Sequence, residues 1–143
     1  GGDRALVEAA VFGVELSVGV LGVADVDLRA LPPVEIQPSS AGWFDGTEKY
    51  DESNGAREVC PPENVPPEID ERLRELAVRA HMATGCRGYS RTDFIATPGG
   101  EIVALEVNTL PGLTARSLLP LEASCAGMDF ESLCLEILRL AGP

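Results

Sequence analysis

Tyr89 to Asn108 reads YSRTDFIATPGGEIVALEVN, two stretches of strand-forming residues on either side of Pro98-Gly99-Gly100. Such turn chemistry between β-rich runs predicts a tight hairpin, with strands over Tyr89–Thr97 and Glu101–Asn108. If Gly99-Gly100 forms the loop, antiparallel pairing sets Thr97 against Ile102, Ile95 against Ala104, Asp93 against Glu106 and Arg91 against Asn108, all on one face. Two carboxylates directly opposed across a ladder repel unless a positive charge lies between them. A divalent cation meets that need. Asp93 and Glu106, with the Asn108 amide one pleat away, form an all-oxygen set suited to Mg²⁺ holding the phosphates of a nucleotide. A polar strip screened by water and Arg91 accounts for the same residues, and residue chemistry alone leaves both readings open.

The 143 residues suffice for one domain with a real core. A net charge of −12 and a single lysine, Lys49, exclude a phosphate-backbone surface, so no nucleic-acid partner is expected. Binding a nucleotide through a metal stays compatible with that charge. No apolar run reaches the roughly 18–20 residues of a membrane span and no signal peptide opens the chain, so the expected setting is cytoplasmic, without a membrane partner. Cys60, Cys86, Cys125 and Cys134 lack the short paired spacing of zinc sites and are expected to be reduced, mostly buried thiols. His81, the only histidine, falls in an expected helix with no visible partner and is read as structural.

Upstream, Leu6–Phe12 and Glu15–Val23 are read as two strands separated by Gly13, and Val34–Ile36 as a third after Pro32-Pro33. Residues 37–62 lack periodicity and are expected to form a functional loop, with Trp43-Phe44 and Lys49-Tyr50 suited to folding over a ligand. Pro66-Pro67 introduces a helix with the apolar stripe Ile69, Leu73, Leu76, Ala80 and Ala83, ending at Gly85. A second helix is expected from about Ser117 to Ala126, with Gly127 as its stop. A third opens at Asp129 and carries Phe130, Leu133, Ile137 and Leu140 on one side. The expected fold class is α+β, a largely antiparallel sheet with helices packed on one face and the other left for chemistry.

Taken in order, Arg91-Thr92-Asp93, Glu106-Val107-Asn108-Thr109-Leu110-Pro111-Gly112-Leu113-Thr114 and Ser117-Leu118 resemble the carboxyl-terminal signature of D-alanine-D-alanine ligases of the ATP-grasp superfamily. Glu8, Phe12-Gly13-Val14-Glu15, Leu31-Pro32-Pro33-Val34-Glu35-Ile36, Lys49-Tyr50, Cys60-Pro61 and Gly85-Cys86-Arg87-Gly88 extend the resemblance from about Ala5 to Ala141. It implies that residues 1–23 end a central ATP-grasp domain and that residues 24–143 form the carboxyl-terminal catalytic domain, with a mobile loop at about 37–62.

The same resemblance implies ATP as cosubstrate and Mg²⁺ or Mn²⁺ held by Asp93, Glu106 and Asn108, where it meets the hairpin argument. It implies Glu8 at the adenine and Glu15 at the ribose. Arg91 would stabilise charge on the phosphoryl group and the tetrahedral intermediate. Ser117 and Leu118, with Gly112, would hold the second D-alanine. Lys49 would reach phosphate from the closing loop, with Tyr50 near the first D-alanine. The implied reaction transfers the γ-phosphoryl of ATP to one D-alanine carboxylate; the amine of a second D-alanine then displaces phosphate to give the dipeptide used in peptidoglycan.

Members of this family are about twice as long, so an amino-terminal partner segment of the same enzyme, a bacterial setting and a homodimer are expected, and this segment alone is expected to be inactive. Two rival readings are weighed. One is a ligase joining D-alanine to D-lactate or D-serine, against which the Lys49-Tyr50 pair speaks. The other is a non-catalytic metal- or nucleotide-binding module, which would have no use for Arg91 and Ser117 beside the three metal ligands.

Overall fold

The computed structural model describes residue 5 and residues 7–24, 26–38 and 56–142. Its centre is β1 (Val14–Gly22), buried from Leu16 onward. Continuous apolarity where alternation would be expected follows from that position, because both faces of β1 are covered. β1 pairs antiparallel with β5 (Gly88–Ala96) on one side and with β2 (Arg29–Ala30) and β3 (Val34–Gln37) on the other. β4 (Arg57–Val59) extends the sheet beyond β3, and β6 (Ile102–Asn108) extends it beyond β5, giving the order β4-β3-β1-β5-β6. The expected strand at Leu6–Phe12 is not formed among the described residues; Val7 and Phe12 stand 89% and 80% exposed, with no strand beside them to satisfy their backbone. Conversely, Arg57–Val59 lies in the expected loop yet pairs with β3.

Helix α1 (Pro67–Ala83) covers the face formed by Leu16, Val18, Val20, Phe94 and Ala96. Pro67 presets the first turn, and Glu68 and Asp70 complement the helix dipole there. Its buried face is Ile69, Leu73, Ala77 and His81, a strict four-residue spacing. This corrects the expected stripe: Leu76 and Ala80 flank it and Ala83 is exposed. His81 does have a partner, since Nδ1 lies 2.7 Å from Ser90 Oγ, and its burial lowers the imidazole pKa.

Helices α2 (Leu118–Cys125) and α3 (Phe130–Ala141) pack Leu119, Ala123, Leu133 and Leu140 against Leu21 and Leu31. Leu21 alternates with Val20 on β1, so these helices sit across the sheet from α1. The antiparallel α+β architecture holds, with its helices divided between the faces instead of gathered on one. Asp129 caps α3 by accepting from the Ser132 N–H at 2.8 Å. Phe130, expected on the apolar side, stays 45% exposed because it precedes the stripe that contacts α2.

Two long-range ties fix the margin of the sheet. Burial alone would raise the Glu35 carboxyl, but hydrogen bonds from Asn64, Gln37 and the Glu63 N–H outweigh it and hold the pKa below the usual range. Cys60 and Cys125 form a disulfide with Cα atoms 6.2 Å apart. This overturns the expectation of four reduced thiols. The partners are 65 positions apart, and only the placement of α2 beside the end of β4 brings them together, so spacing gave no signal. Cys86 and Cys134 are free and half-buried.

Candidate active site

One cross-strand row builds the centre of the site. Val34 on β3 faces Ser17 on β1, Ser17 faces Asp93 on β5, and Asp93 faces Glu106 on β6. The adjacent row on the same face runs Gly19, Arg91, Asn108. The expected opposition of Asp93 with Glu106 and of Arg91 with Asn108 is therefore present. The other half of the expected register is not: Ile95 faces Val103, Ala96 faces Ile102, and a bulge lies between the two segments at Leu105. Pro98-Gly99-Gly100 belongs to a turn in which the Thr97 N–H donates to Glu101 O and the Gly100 N–H to Thr97 O, so the loop is longer than two residues.

Arg91 clamps Asp93 in a two-pronged pair, with Nε to Oδ1 and Nη2 to Oδ2 both at 2.9 Å. The Ser17 hydroxyl adds a third bond to Oδ1 at 2.8 Å. The pair is only 14% and 20% exposed, and the Asp93 carboxylate raises the Arg91 pKa further. Beside it a cavity of about 310 Å³ is lined by Glu15, Leu16, Ile36, Asp93, Phe94, Leu105 and Glu106. The bulge places Leu105 in that wall. Glu15 thus shares a cavity with two of the expected metal ligands.

Among the described residues no group of three His, Cys, Asp or Glu side chains gathers for a metal. The donor set available on this face is Asp93 and Glu106 with the Asn108 amide, all oxygen, and it fits a hard cation such as Mg²⁺. Glu8 is exposed in the irregular segment before β1 and is not in the wall of this cavity. Lys49 and Tyr50 lie outside the described residues.

Gly112, Ser117 and Leu118 form a separate cluster where α2 begins. Ser117 is the N-cap residue, but its hydroxyl turns back to the preceding loop, accepting from the Thr114 N–H at 3.1 Å and lying 2.9 Å from Thr114 Oγ1. Gly112 approaches so closely that a Cβ there would sit 2.8 Å from Ser117 Oγ. Its lack of a side chain is what leaves the hydroxyl in place.

Three residues of this face were not singled out from sequence. Ser17 follows from alternation with Glu15, a signal that was available once β1 was paired with β5. Glu58 on β4 has a carboxyl pushed up by burial and pulled down by Arg91, so it looks toward the same guanidinium. Glu122 is fully buried in α2, where burial raises its pKa to about 8 against a weaker pull from Ser17 and Arg91. A lone acid inside Leu118-Leu-Pro-Leu-Glu-Ala-Ser-Cys125 was its sequence signal.

Solved ligase structures share this arrangement of sheet, hairpin and helices. The D-Ala:D-Ser ligase VanG from Enterococcus faecalis superposes with a TM-score of 0.76 at 36% identity, covering 92% of this chain and 37% of that one. The D-alanine–D-alanine ligase of Bacillus anthracis gives 0.74 at 30% identity, covering 94% and 41%. Curated relatives include the D-alanine–D-alanine ligases of Oleidesulfovibrio alaskensis, 50% identical over 139 residues, and Nitratidesulfovibrio vulgaris strain DP4, 44% identical over 137. These alignments cover 97% and 96% of this chain, and in both cases 43% of the relative. The fold is therefore that of the carboxyl-terminal domain of ATP-grasp ligases of this kind. The family described as D-ala D-ala ligase C-terminus matches residues 2–139, and this chain belongs to it.

Proposed function

We propose that this chain is the carboxyl-terminal catalytic part of an ATP-dependent D-alanine–D-alanine ligase, acting with an amino-terminal segment of the same enzyme in the bacterial cytoplasm and as a homodimer. No described helix is long and apolar enough to cross a membrane. The observation that carries the proposal is the pair of rows that sets Arg91, Asp93, Glu106 and Asn108 on one face beside a cavity also lined by Glu15. The names of the curated relatives favour D-alanine over D-serine or D-lactate as second substrate.

Asp93, Glu106 and Asn108 would hold Mg²⁺ or Mn²⁺, which when bound neutralises and aligns the ATP phosphates. Glu15 would accept from the ribose hydroxyls and Glu8 from the adenine amine. The Arg91 guanidinium, kept charged by Asp93, is aimed at the oxygens that gain charge as the γ-phosphoryl moves to the carboxylate of the first D-alanine. The second amino acid would lie at the start of α2, where Ser117 and Leu118 set its position and Gly112 leaves the room. Its amine attacks the acyl phosphate, the C–N bond forms, and the C–O bond to phosphate breaks. Lys49 and Tyr50 would close over the site and exclude water.

Phosphate release from MgATP tests the proposal, measured on the enzyme formed by joining this chain to the amino-terminal part of the O. alaskensis relative. Release that depends on D-alanine and yields the dipeptide is expected; release indifferent to D-alanine would remove the ligase assignment. Gly112→Ala in the same enzyme should raise KM for the second D-alanine about tenfold through displacement of the Ser117 hydroxyl, roughly the worth of one hydrogen bond. KM for ATP should stay within twofold. An equal rise in both would mean that Gly112 serves the fold instead.

A further inference from the structure

Glu122 is an acid with no evident reason to be buried. It is fully enclosed, and no hydrogen bond of normal geometry satisfies either of its carboxyl oxygens, although Ser17 and the Gly19 backbone are close by. The Ser17 hydroxyl is spent on Asp93. Burying a carboxyl so incompletely satisfied costs stability, and an alanine at this helix position would avoid that cost.

The opposite strand is shaped to receive it. A Cβ at Gly19 would come 2.3 Å from Glu122 Oε2 and 2.5 Å from Leu119 Cδ1. Gly19 has an ordinary strand conformation, so its smallness serves this approach and not a backbone angle. Gly19 is also the cross-strand neighbour of Arg91. The carboxyl therefore occupies the space where α2 meets the Gly19–Arg91–Asn108 row, and Ser117 begins the same helix five positions earlier.

Resting on the ligase reading above, we propose that Glu122 is a positioning residue: seated in the notch at Gly19, it fixes α2 against β1 and so sets the distance between Ser117, which receives the second amino acid, and Arg91, which faces the phosphoryl group. The seat uses the shape and polarity of the acid, because the burial that surrounds it favours the neutral form. Glutamine reproduces both features, whereas alanine empties the notch and lets the helix settle.

The joined enzyme described above and the 143-residue chain by itself test this together. In the joined enzyme, Glu122→Ala should raise KM for the second D-alanine at least tenfold with KM for ATP within twofold, and Glu122→Gln should restore it to within threefold of the parent. Unchanged constants in Glu122→Ala would overturn the proposal, as would Glu122→Gln being as impaired as Glu122→Ala. Hydrogen exchange on the chain alone reads the seat without reference to activity. Glu122→Ala should speed exchange of the α2 amides about tenfold and leave those of α1 unchanged, with Glu122→Gln protected. Equal protection of α2 in all three proteins would overturn the seat, and faster exchange in both helices would make Glu122 a general core residue. An inactive parent enzyme with the expected exchange pattern would sink the ligase reading and leave the seat standing.

Discussion

Glu106→Gln in the joined enzyme is expected to lower D-alanine-dependent phosphate release by about 10²–10³-fold, the scale of removing one electrostatic contact to transition-state charge. The fold should be untouched or slightly firmer. Glu106 is exposed on the edge strand β6 and makes no bond that the structure would miss, whereas its charge stands opposite Asp93 across the ladder. Glutamine keeps the volume and an acceptor oxygen while removing the repulsion, so a rise of a few tenths of a kcal/mol in stability accompanies the loss of turnover. Raising Mg²⁺ or Mn²⁺ should recover part of the activity, because the missing carboxylate weakens the hold on the ion. A Glu106→Gln enzyme with parental turnover at low metal would remove Glu106 from the ligand set. A large loss of thermal stability would assign the residue to the fold.

Glu122→Gln should remove a fall of stability with pH across the neutral range. The Glu122 carboxyl titrates at about 8 in the folded chain against an ordinary value of 4.5. Between those values the unfolded chain has lost the proton that the folded chain retains, so ionisation pulls toward unfolding and stability falls as pH rises from about 4.5 to 8. Complete expression of the shift corresponds to about 4–5 kcal/mol at one pKa unit per 1.36 kcal/mol. Glutamine cannot ionise and abolishes this slope. Urea unfolding of parent and variant should therefore coincide near pH 4.5 and diverge up to pH 8, with the variant the more stable. Parallel curves across that range would mean that Glu122 is charged in the folded chain. Burial acts on His81 with the other sign of charge: its lowered pKa costs stability only as pH falls below 6.5, so measurements above neutrality isolate Glu122.

Much of the site was legible because cross-strand pairing converts sequence positions into neighbours. Asp93 and Glu106 could be placed opposite each other from a turn and two strand patterns, and Arg91 with Asn108 came with them. The same logic failed where a partner lies far away in the chain. Glu35 gains its role from a loop that no local period announces, and Ser17 becomes legible only once β1 is paired with β5. The Cys60–Cys125 bond and the seat of Glu122 depend on where α2 lands. The stripe on α1 was misjudged because Ala77 and His81, one small and one polar, are buried by position and not by their own hydrophobicity. Leu6–Phe12 was read as a strand from composition, yet a strand needs a partner and the described residues offer none.

The expected pairing at the site was right although the expected turn was wrong, and the bulge at Leu105 explains both. From Ala96 to Phe94 the hairpin counts from a loop with one residue more than expected, and the extra residue on β6 then restores the count before Asp93. Were Leu105 paired in its turn instead of bulged, Asp93 would meet Leu105, Arg91 would meet Val107, and both Glu106 and Asn108 would turn to the far face. The hairpin is thus two segments with independent parity joined at a phase shifter. Deleting Leu105 removes the phase shifter yet leaves the site face as it is, because Glu106 then follows Ala104 directly and still meets Asp93, with Asn108 still opposite Arg91. The pairing of Asp93 with Glu106 is therefore reachable by two routes in a chain of one length, a two-residue turn with an unbroken ladder or a longer turn with one residue bulged out of β6.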